Sequence, residues 1–168
     1  FLSRVSRSGY GELLFSDVRG EGFPLDQPAA QGATVLVVGT NFGCGSSREH
    51  AVWAIQQAGF KAVVAKRTET SAAYSDIFRQ NAANCGLLLV ELTEEDHDKI
   101  SWRGSGVEIE IDLPSQLVRQ QGEESHFDIS PVSKEAILKG LDLIGTTLIH
   151  EKEIGEYESK SIAYVPQR

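Results

Sequence analysis

The sequence predicts an α/β fold with a parallel strand-loop-helix core and a small antiparallel β layer. A β-branched run, Thr34–Val38, and a second predicted strand, Phe60–Ala65, flank a stretch of helical character and indicate the core. The run Val107–Leu113 alternates strictly between apolar and acidic residues and indicates the β layer. At 168 residues the chain suits one domain with a proper core, so we predict a single domain over residues 1–168.

The core begins with a strand over Thr34–Val38, which follows an irregular stretch that reaches Pro28. Its continuous apolar letters predict a strand buried on both faces. A helix is predicted from about Ser47 to Ala58, closed by Gly59, and a second buried strand over Phe60–Ala65. This order predicts parallel pairing with a right-handed crossover.

The next segments repeat the same alternation. A helix is predicted over Tyr74–Ala83, with Ile77 and Phe78 on its inner face and Gly86 at its end. A third apolar strand is predicted over Leu87–Glu91. A further helix should then begin with Thr93 as its N-cap, because acidic residues follow in the first turn.

The last third combines a β meander with helices. Three β segments are predicted, at Val107–Leu113, Leu117–Arg119 and His126–Ile129. A helix capped by Ser133 and ending near Gly140 follows, and the tail from His150 to Lys160 has helical character.

The composition excludes several classes of function. A net charge of −8 argues against a nucleic-acid partner, since phosphate backbones require a basic face. No apolar run approaches the roughly 18 residues of a membrane span, and the first residues lack the layout of a signal peptide, so we expect a cytoplasmic protein. Cys44 and Cys85 are the only cysteines and have no paired Cys or His spacing, so we expect no metal on this chain.

Charge is unevenly distributed along the chain. Residues 35–90 carry five basic against three acidic side chains, a balance of +2, whereas residues 91–112 carry two against eight, a balance of −6. An anionic small molecule would be attracted to the first region. Solvated faces that happen to segregate would give the same pattern, so charge alone leaves both interpretations open.

The loop from Gly39 to Arg48 carries the candidate chemistry, because it leaves the carboxyl end of a buried strand and enters a helix, where α/β sheets bind ligands. Gly43 and Gly45 permit backbone angles, or a close approach, that side chains would block. The helix N-terminus attracts anions, and the guanidinium of Arg48 suits a carboxylate. The hydroxyls at positions 46 and 47 can cap the helix, bind substrate or transfer a proton.

Other interpretations of this loop are less well supported. A Walker phosphate loop would need a Lys that is absent. The spacing of Gly39, Gly43 and Gly45 matches nicotinamide-dependent short-chain dehydrogenases, but no Tyr in the chain has a Lys four residues later. A Ser46–His50 nucleophile pair lacks an obvious acid, so we expect His50 to pack or to form hydrogen bonds. The serines could also simply cap the helix while Arg48 pairs with a surface acid.

The run from Asn41 to Ala51 resembles, almost letter for letter, the signature of 3-isopropylmalate dehydratase small subunits, which correspond to the swivelling domain of aconitase. The likeness continues through the following segments: Trp53–Ala54, Gly59–Phe60, Asp76–Phe78, Gly140–Leu148, and the opening Phe1–Arg4 with Gly9 and Gly11–Phe15. The resemblance therefore covers most of the chain and implies a single swivelling β/β/α domain.

The resemblance also implies roles for individual residues. Ser46 would be the base that removes a proton beside a carboxylate, Arg48 would bind a substrate carboxylate, and Ser47 and Gly45 would support that contact. A 4Fe-4S cluster on a separate large subunit would remove hydroxide from the substrate, so this chain would bind no cofactor. Cys44 would be a small loop residue that is open to oxidation rather than a cluster ligand.

The same resemblance leaves some functions open and shows two departures. A homoaconitase or a methylmalate or dimethylmaleate type of dehydratase would share these residues, and specificity could depend partly on Phe1–Arg4. The family usually begins with an Asp-rich turn and an isoleucine-proline pair, and the chain contains no Met, so we expect a truncated N-terminus. The connection Lys66–Ser75 is longer than expected and could contact the partner differently.

Overall fold

A computed structural model describes residues 6–45, 47–141 and 143–160 and places three parallel strands at the centre of the fold. These are β1 (Val35–Val38), β2 (Ala62–Arg67) and β3 (Leu88–Thr93), in the order β1-β2-β3. Helices α1 (His50–Gln57) and α2 (Asp76–Cys85) connect them. The predicted parallel strand-loop-helix core is therefore confirmed.

Strands β1 and β2 differ in burial, although the sequence predicts both of them as buried strands. In the central strand β2, Ala62 to Ala65 are all buried, as predicted. In β1 only Leu36 is buried, because this strand pairs with β2 on one side and lies at the edge of the three-stranded sheet. The prediction of a strand buried on both faces is thus correct for β2 and wrong for β1.

The helix signals in the middle of the chain are mostly confirmed. Gly86 ends α2 in a left-handed conformation with φ 69°. Helix α3 (Glu94–Ser101) begins as expected, because the Thr93 hydroxyl accepts a hydrogen bond from the Asp96 N–H at 3.2 Å. Phe78 faces the core, but Ile77 is 39% exposed, so its predicted inward position is wrong.

The predicted antiparallel layer is also present, with shifted boundaries. It contains β4 (Glu110–Asp112), β5 (Leu117–Gln120) and β6 (Glu123–His126) in that order. The third strand begins earlier than predicted because Gln121 and Gly122 both have positive φ, which closes a two-residue hairpin. Strand β4 is shorter than the alternating run, since its first residues lie outside the ladder with β5.

The C-terminal part is helical. Helix α4 (Pro131–Lys139) is capped by Ser130, whose hydroxyl accepts from the Ser133 N–H at 3.1 Å, so the predicted cap at Ser133 is wrong by three positions. It ends at Gly140 as predicted, with φ 63°. Two more helices follow, α5 (Leu143–Leu148) and α6 (Glu151–Lys160).

Two features complete the description of the secondary structure. The irregular opening stretch contains three short 3₁₀ turns: Gly11–Leu13, Pro24–Asp26 and Pro28–Ala30. Over the described ranges, every helix is too short or too polar to cross a bilayer.

The core lies on both faces of the parallel sheet, because successive residues of β2 point in opposite directions. Val63 and Ala65 pack toward α1 and α2, together with Val52 and Phe78. Ala62 and Val64 belong to a second cluster that contains apolar residues of β3, α3 and the antiparallel layer, namely Val90, Leu92, Ile100, Val118 and Phe127. The loop after β1 therefore leads from the sheet to the face that α1 and α2 cover.

Candidate active site

The first half of the loop after β1, Asn41–Gly43, is fixed by the connection between β2 and α2. The Asn41 and Phe42 N–H groups donate to the carbonyls of Ala72 and Ala73, at 2.7 and 2.8 Å. The Ser75 N–H returns a bond to the Phe42 carbonyl at 3.0 Å. The connection Lys66–Ser75, which the sequence shows only as unusually long, thus forms the hydrogen bonds that hold the candidate loop.

Gly43 is required by this packing. Its φ is 80°, and a Cβ atom built on it would lie 2.3 Å from Cγ of Phe78, a fully buried ring. The Ser75 hydroxyl donates to the Gly43 carbonyl at 2.9 Å. The expectation that this glycine permits a special backbone angle and close approach is confirmed, and the group that approaches is the protein's own Phe78.

The second half of the loop, Cys44–Arg48, faces outward. Cys44, Gly45, Ser47 and Arg48 are exposed, whereas Ser46 lies outside the described residues. Among the residues that the structure describes, no atom beyond the neighbours of Gly45 lies within 4 Å of a Cβ built on it, and its φ is not positive. The fold therefore needs a glycine at position 43 and leaves open space at position 45.

A side chain of α2 contacts the backbone of this outward half. The buried Asn81 side chain of α2 donates from Nδ2 to the Ser47 carbonyl at 3.4 Å. Ser47 itself is exposed and is not among the residues that line the cleft described below.

Helix α1 begins later than the sequence predicts. Its first residue is His50, and the N-cap position is held by Glu49, whose side chain makes no capping bond. The prediction that the helix starts at about Ser47 is therefore wrong, and Ser47 does not take the N-cap role, which was one of three that the sequence left open for it. The positive end of the α1 dipole still points toward the loop, so a negative group held there would be stabilised.

A cleft of about 560 Å³ lies beside the outward half of the loop. It brings Arg48 and Gly45 together with apolar residues of α1, α2 and the first 3₁₀ turn. Its lining includes Leu13, Leu14, Phe15, Val18, Phe42, Ala51, Ala54, Ile55 and Phe78. A guanidinium beside an apolar surface can hold a small molecule that has a carboxylate at one end and carbon at the other.

His50 lies at the edge of this cleft in an aromatic cluster. Its ring meets that of Tyr10 edge-on, with 5.1 Å between centroids, and lies 4.7 Å from Trp53. The guanidinium of Arg7 lies over Trp53 at 5.2 Å. These contacts agree with the expected packing role of His50, although its buried Nδ1 has no hydrogen-bond partner within the described part of the chain.

Most cations of the positively charged region are paired with the acidic region that follows. Lys66 contacts Asp98 at 3.0 Å, and this hydrogen bond lowers the pKa of the Asp98 carboxyl. Arg67 and Arg79 both pair with Glu91. The attraction for anions expected from residues 35–90 is therefore partly neutralised, and the cation of that set that lines the cleft is Arg48.

Burial also determines the protonation state of Tyr74, which lies next to the first half of the loop. The Tyr74 hydroxyl contacts the carbonyls of Val63 and Val90, at 2.7 and 2.8 Å, and burial raises its pKa far above the ordinary value. Tyr74 therefore stays protonated and ties the sheet to the segment that holds Phe42.

The described part of the chain shows no group of three or more His, Cys, Asp or Glu residues that could hold a metal ion. Cys44 is exposed and Cys85 is partly buried, which raises the pKa of the Cys85 thiol. A second cleft, of about 470 Å³, is lined by β1 and residues 104–109, but it contains none of the residues that the sequence selects as a site.

The apolar side of the main cleft was not found by sequence reasoning. Its main side chains are Leu13 and Phe15, in a stretch that has no helix or strand periodicity. Phe15 has φ 58°, which is rare for a bulky residue, and its ring lies 6.0 Å from Phe23 and 6.3 Å from Phe42. No signal in a single sequence indicates such a backbone angle for phenylalanine.

Known proteins resemble this chain over most of its length. The sequence model of the aconitase C-terminal domain family matches residues 15–95. The 3-isopropylmalate dehydratase small subunit of Bacillus cereus is 37% identical over 98% of this chain and 86% of its own length. That of Rubrobacter xylanophilus is 40% identical over 99% of this chain and 84% of its own length.

The fold comparison agrees with the sequence comparison. A crystal structure of 3-isopropylmalate dehydratase from Methanocaldococcus jannaschii superimposes with a TM-score of 0.64 and 30% sequence identity. The match covers 90% of this chain and 83% of that chain.

Proposed function

The chain belongs to the family of 3-isopropylmalate dehydratase small subunits, and from this we propose that its outward loop supplies half of an active site that a large subunit completes. The chain is thus one subunit of a hydro-lyase of leucine biosynthesis. The observation that carries the proposal is the position of Arg48 and Gly45, which line one cleft beside the carboxyl end of β1. A cytoplasmic location forms part of the same proposal.

Arg48 is proposed to bind a substrate carboxylate. Its planar guanidinium can donate two parallel hydrogen bonds to the two carboxylate oxygens. The open space at Gly45 lets the backbone come close to the bound acid, and the exposed Ser47 can add a hydrogen bond from its hydroxyl. The positive end of α1 contributes a field of the same sign as the guanidinium.

Ser46 is proposed as the base that removes the proton from the carbon beside this carboxylate. A serine hydroxyl is a weak base, so the site must stabilise its alkoxide, and Arg48 with the α1 N-terminus would do so. Two arguments support the assignment: the resemblance of Asn41–Ala51 to the family signature, and the outward position of the chain neighbours Gly45 and Ser47.

The described residues do not fit an iron-sulfur cluster, which is held by several cysteine thiolates. We therefore assign the cluster to the large subunit, where a 4Fe-4S centre would supply the Lewis-acid chemistry for loss of hydroxide. This chain's part is to hold the carboxylate, to accept the proton at position 46, and to enclose the carbon skeleton in the cleft.

Reconstitution with a cluster-bearing large subunit tests the proposal. The mixture should form an unsaturated diacid, seen by its ultraviolet absorbance, and this chain alone should not. Ser46→Ala should lower kcat by roughly 100- to 10,000-fold, the usual contribution of a positioned base, while the two subunits still elute together in gel filtration.

Ser101→Ala, at an exposed position at the end of α3, is the matched control and should retain wild-type kcat. A Ser46→Ala enzyme with wild-type kcat would show that another group is the base. The relatives reported above carry the isopropylmalate dehydratase name, so neither the related dehydratases nor a nicotinamide-binding module is favoured.

A further inference from the structure

The cleft beside Arg48 has an apolar side that the proposed carboxylate chemistry does not use. Leu13 and Phe15 line it and are partly exposed, whereas Leu14 between them is buried in the core. Phe42 and Ala54 continue this apolar lining toward the loop and α1. The surface is open to a ligand, and it belongs to the same cleft as the guanidinium of Arg48.

Backbone hydrogen bonds and ring contacts position Phe15 in this surface. Its carbonyl accepts hydrogen bonds from the N–H groups of Val18 and Arg19, at 2.9 and 3.0 Å. Its φ of 58° is a strained conformation for a bulky residue and persists only where the surroundings fix it. Its ring also packs against those of Phe23 and Phe42, which helps to position it on the apolar side of the cleft.

Charge determines which end of a substrate belongs on which side of the cleft. Asp17 lines the cleft two residues after Phe15, and its carboxylate would repel a substrate carboxylate placed there. Arg48 attracts that carboxylate to the loop side. An uncharged alkyl group is therefore the part of a hydroxy-dicarboxylate that fits against the apolar side.

We propose that Leu13 and Phe15 form the subsite for the alkyl substituent of the substrate and determine which alkyl group the enzyme accepts. This inference rests on the proposed function of the same cleft. It assigns substrate specificity to residues 13–15, which the family signature around Ser46 does not include. It is separate from the contribution to substrate specificity considered for Phe1–Arg4.

The test compares two substrates that share both carboxylates and differ in the alkyl group, 3-isopropylmalate and 3-methylmalate, in the reconstituted two-subunit enzyme. Leu13→Ala and the milder Phe15→Leu should each lower kcat/KM for the isopropyl substrate about tenfold, because one lost methylene contact in an apolar pocket has an effect of at least this size. The loss should appear mainly in KM, and kcat/KM for the methyl substrate should change less than threefold.

Val132→Ala is the matched control, since this apolar side chain on α4 is 73% exposed and does not line the cleft. It should leave the ratio of the two kcat/KM values unchanged. Equal losses for both substrates in the Leu13 and Phe15 variants, or no loss for either, would overturn the alkyl subsite while leaving the roles of Ser46 and Arg48 intact. Absence of turnover in the wild-type pair would instead overturn the proposed function, and the subsite with it.

Discussion

The two halves of the loop after β1 differ in what they contact. The first half, Asn41–Gly43, forms backbone hydrogen bonds with the connection before α2 and packs against Phe78. The second half, Cys44–Arg48, consists of exposed residues where it is described, and open space surrounds Gly45. Both halves belong to one uninterrupted sequence signature, yet the first is bound to the fold and the second is exposed.

This difference indicates how the site is positioned. The fixed half holds the loop at the carboxyl end of β1, so the outward half begins from a defined point. Side chains that must meet substrate or a large subunit can then remain uncommitted to the core. Substitutions in the first half should therefore lower stability, whereas substitutions in the second half should lower activity.

Gly43→Ala should have the largest effect. The added methyl would overlap the buried Phe78 ring and impose a left-handed conformation on alanine, which together destabilise the fold by about 3 kcal/mol. Urea unfolding of the isolated chain measures this change. Gly140→Ala, which has a similar φ of 63° but no atom within 4 Å of the added carbon, is the control and isolates the backbone part of the cost. Equal losses for the two variants would show that Phe78 does not restrict position 43.

Arg48→Lys should have the next largest effect, on activity alone. Lysine retains the charge but loses the two parallel hydrogen bonds to a carboxylate, so kcat/KM of the reconstituted enzyme should fall roughly 100-fold. Arg67→Lys, which alters an exposed arginine paired with Glu91, is the control and should remain within twofold of wild type. An equally small change in kcat/KM for Arg48→Lys would show that Arg48 does not bind the substrate carboxylate through two parallel hydrogen bonds.

Local chemistry in the sequence was sufficient to predict much of the fold. The Gly86 terminus of α2 and the Thr93 cap of α3 depend on neighbouring residues alone, and both are confirmed. Ile77 was misplaced because the position of the inner face of α2 depends on packing against α1. The cap of α4 was shifted to Ser133 because two serines three residues apart both satisfy the cap pattern, and Pro131 at the first helical position selects Ser130.

The candidate site was predicted only in part, for a similar reason. Arg48 and Gly45 are adjacent in the signature, so the sequence identifies them together, and the assignments of Ser46, Ser47 and Arg48 to chemical roles stay predictions. The apolar side at Leu13 and Phe15 comes from a segment more than 25 residues earlier in the chain. It reaches the loop only through tertiary packing, which periodicity and spacing do not describe.

The central claim is that the outward half of the loop approaches substrate, and Gly45→Ala tests it most directly. Because open space surrounds this position, the free energy of unfolding should change by less than about 0.5 kcal/mol. The methyl would nevertheless occupy the space in which the substrate is proposed to lie, so kcat/KM of the reconstituted enzyme should fall about tenfold with the subunits still associated. A variant with unchanged stability and wild-type kcat/KM would contradict the claim.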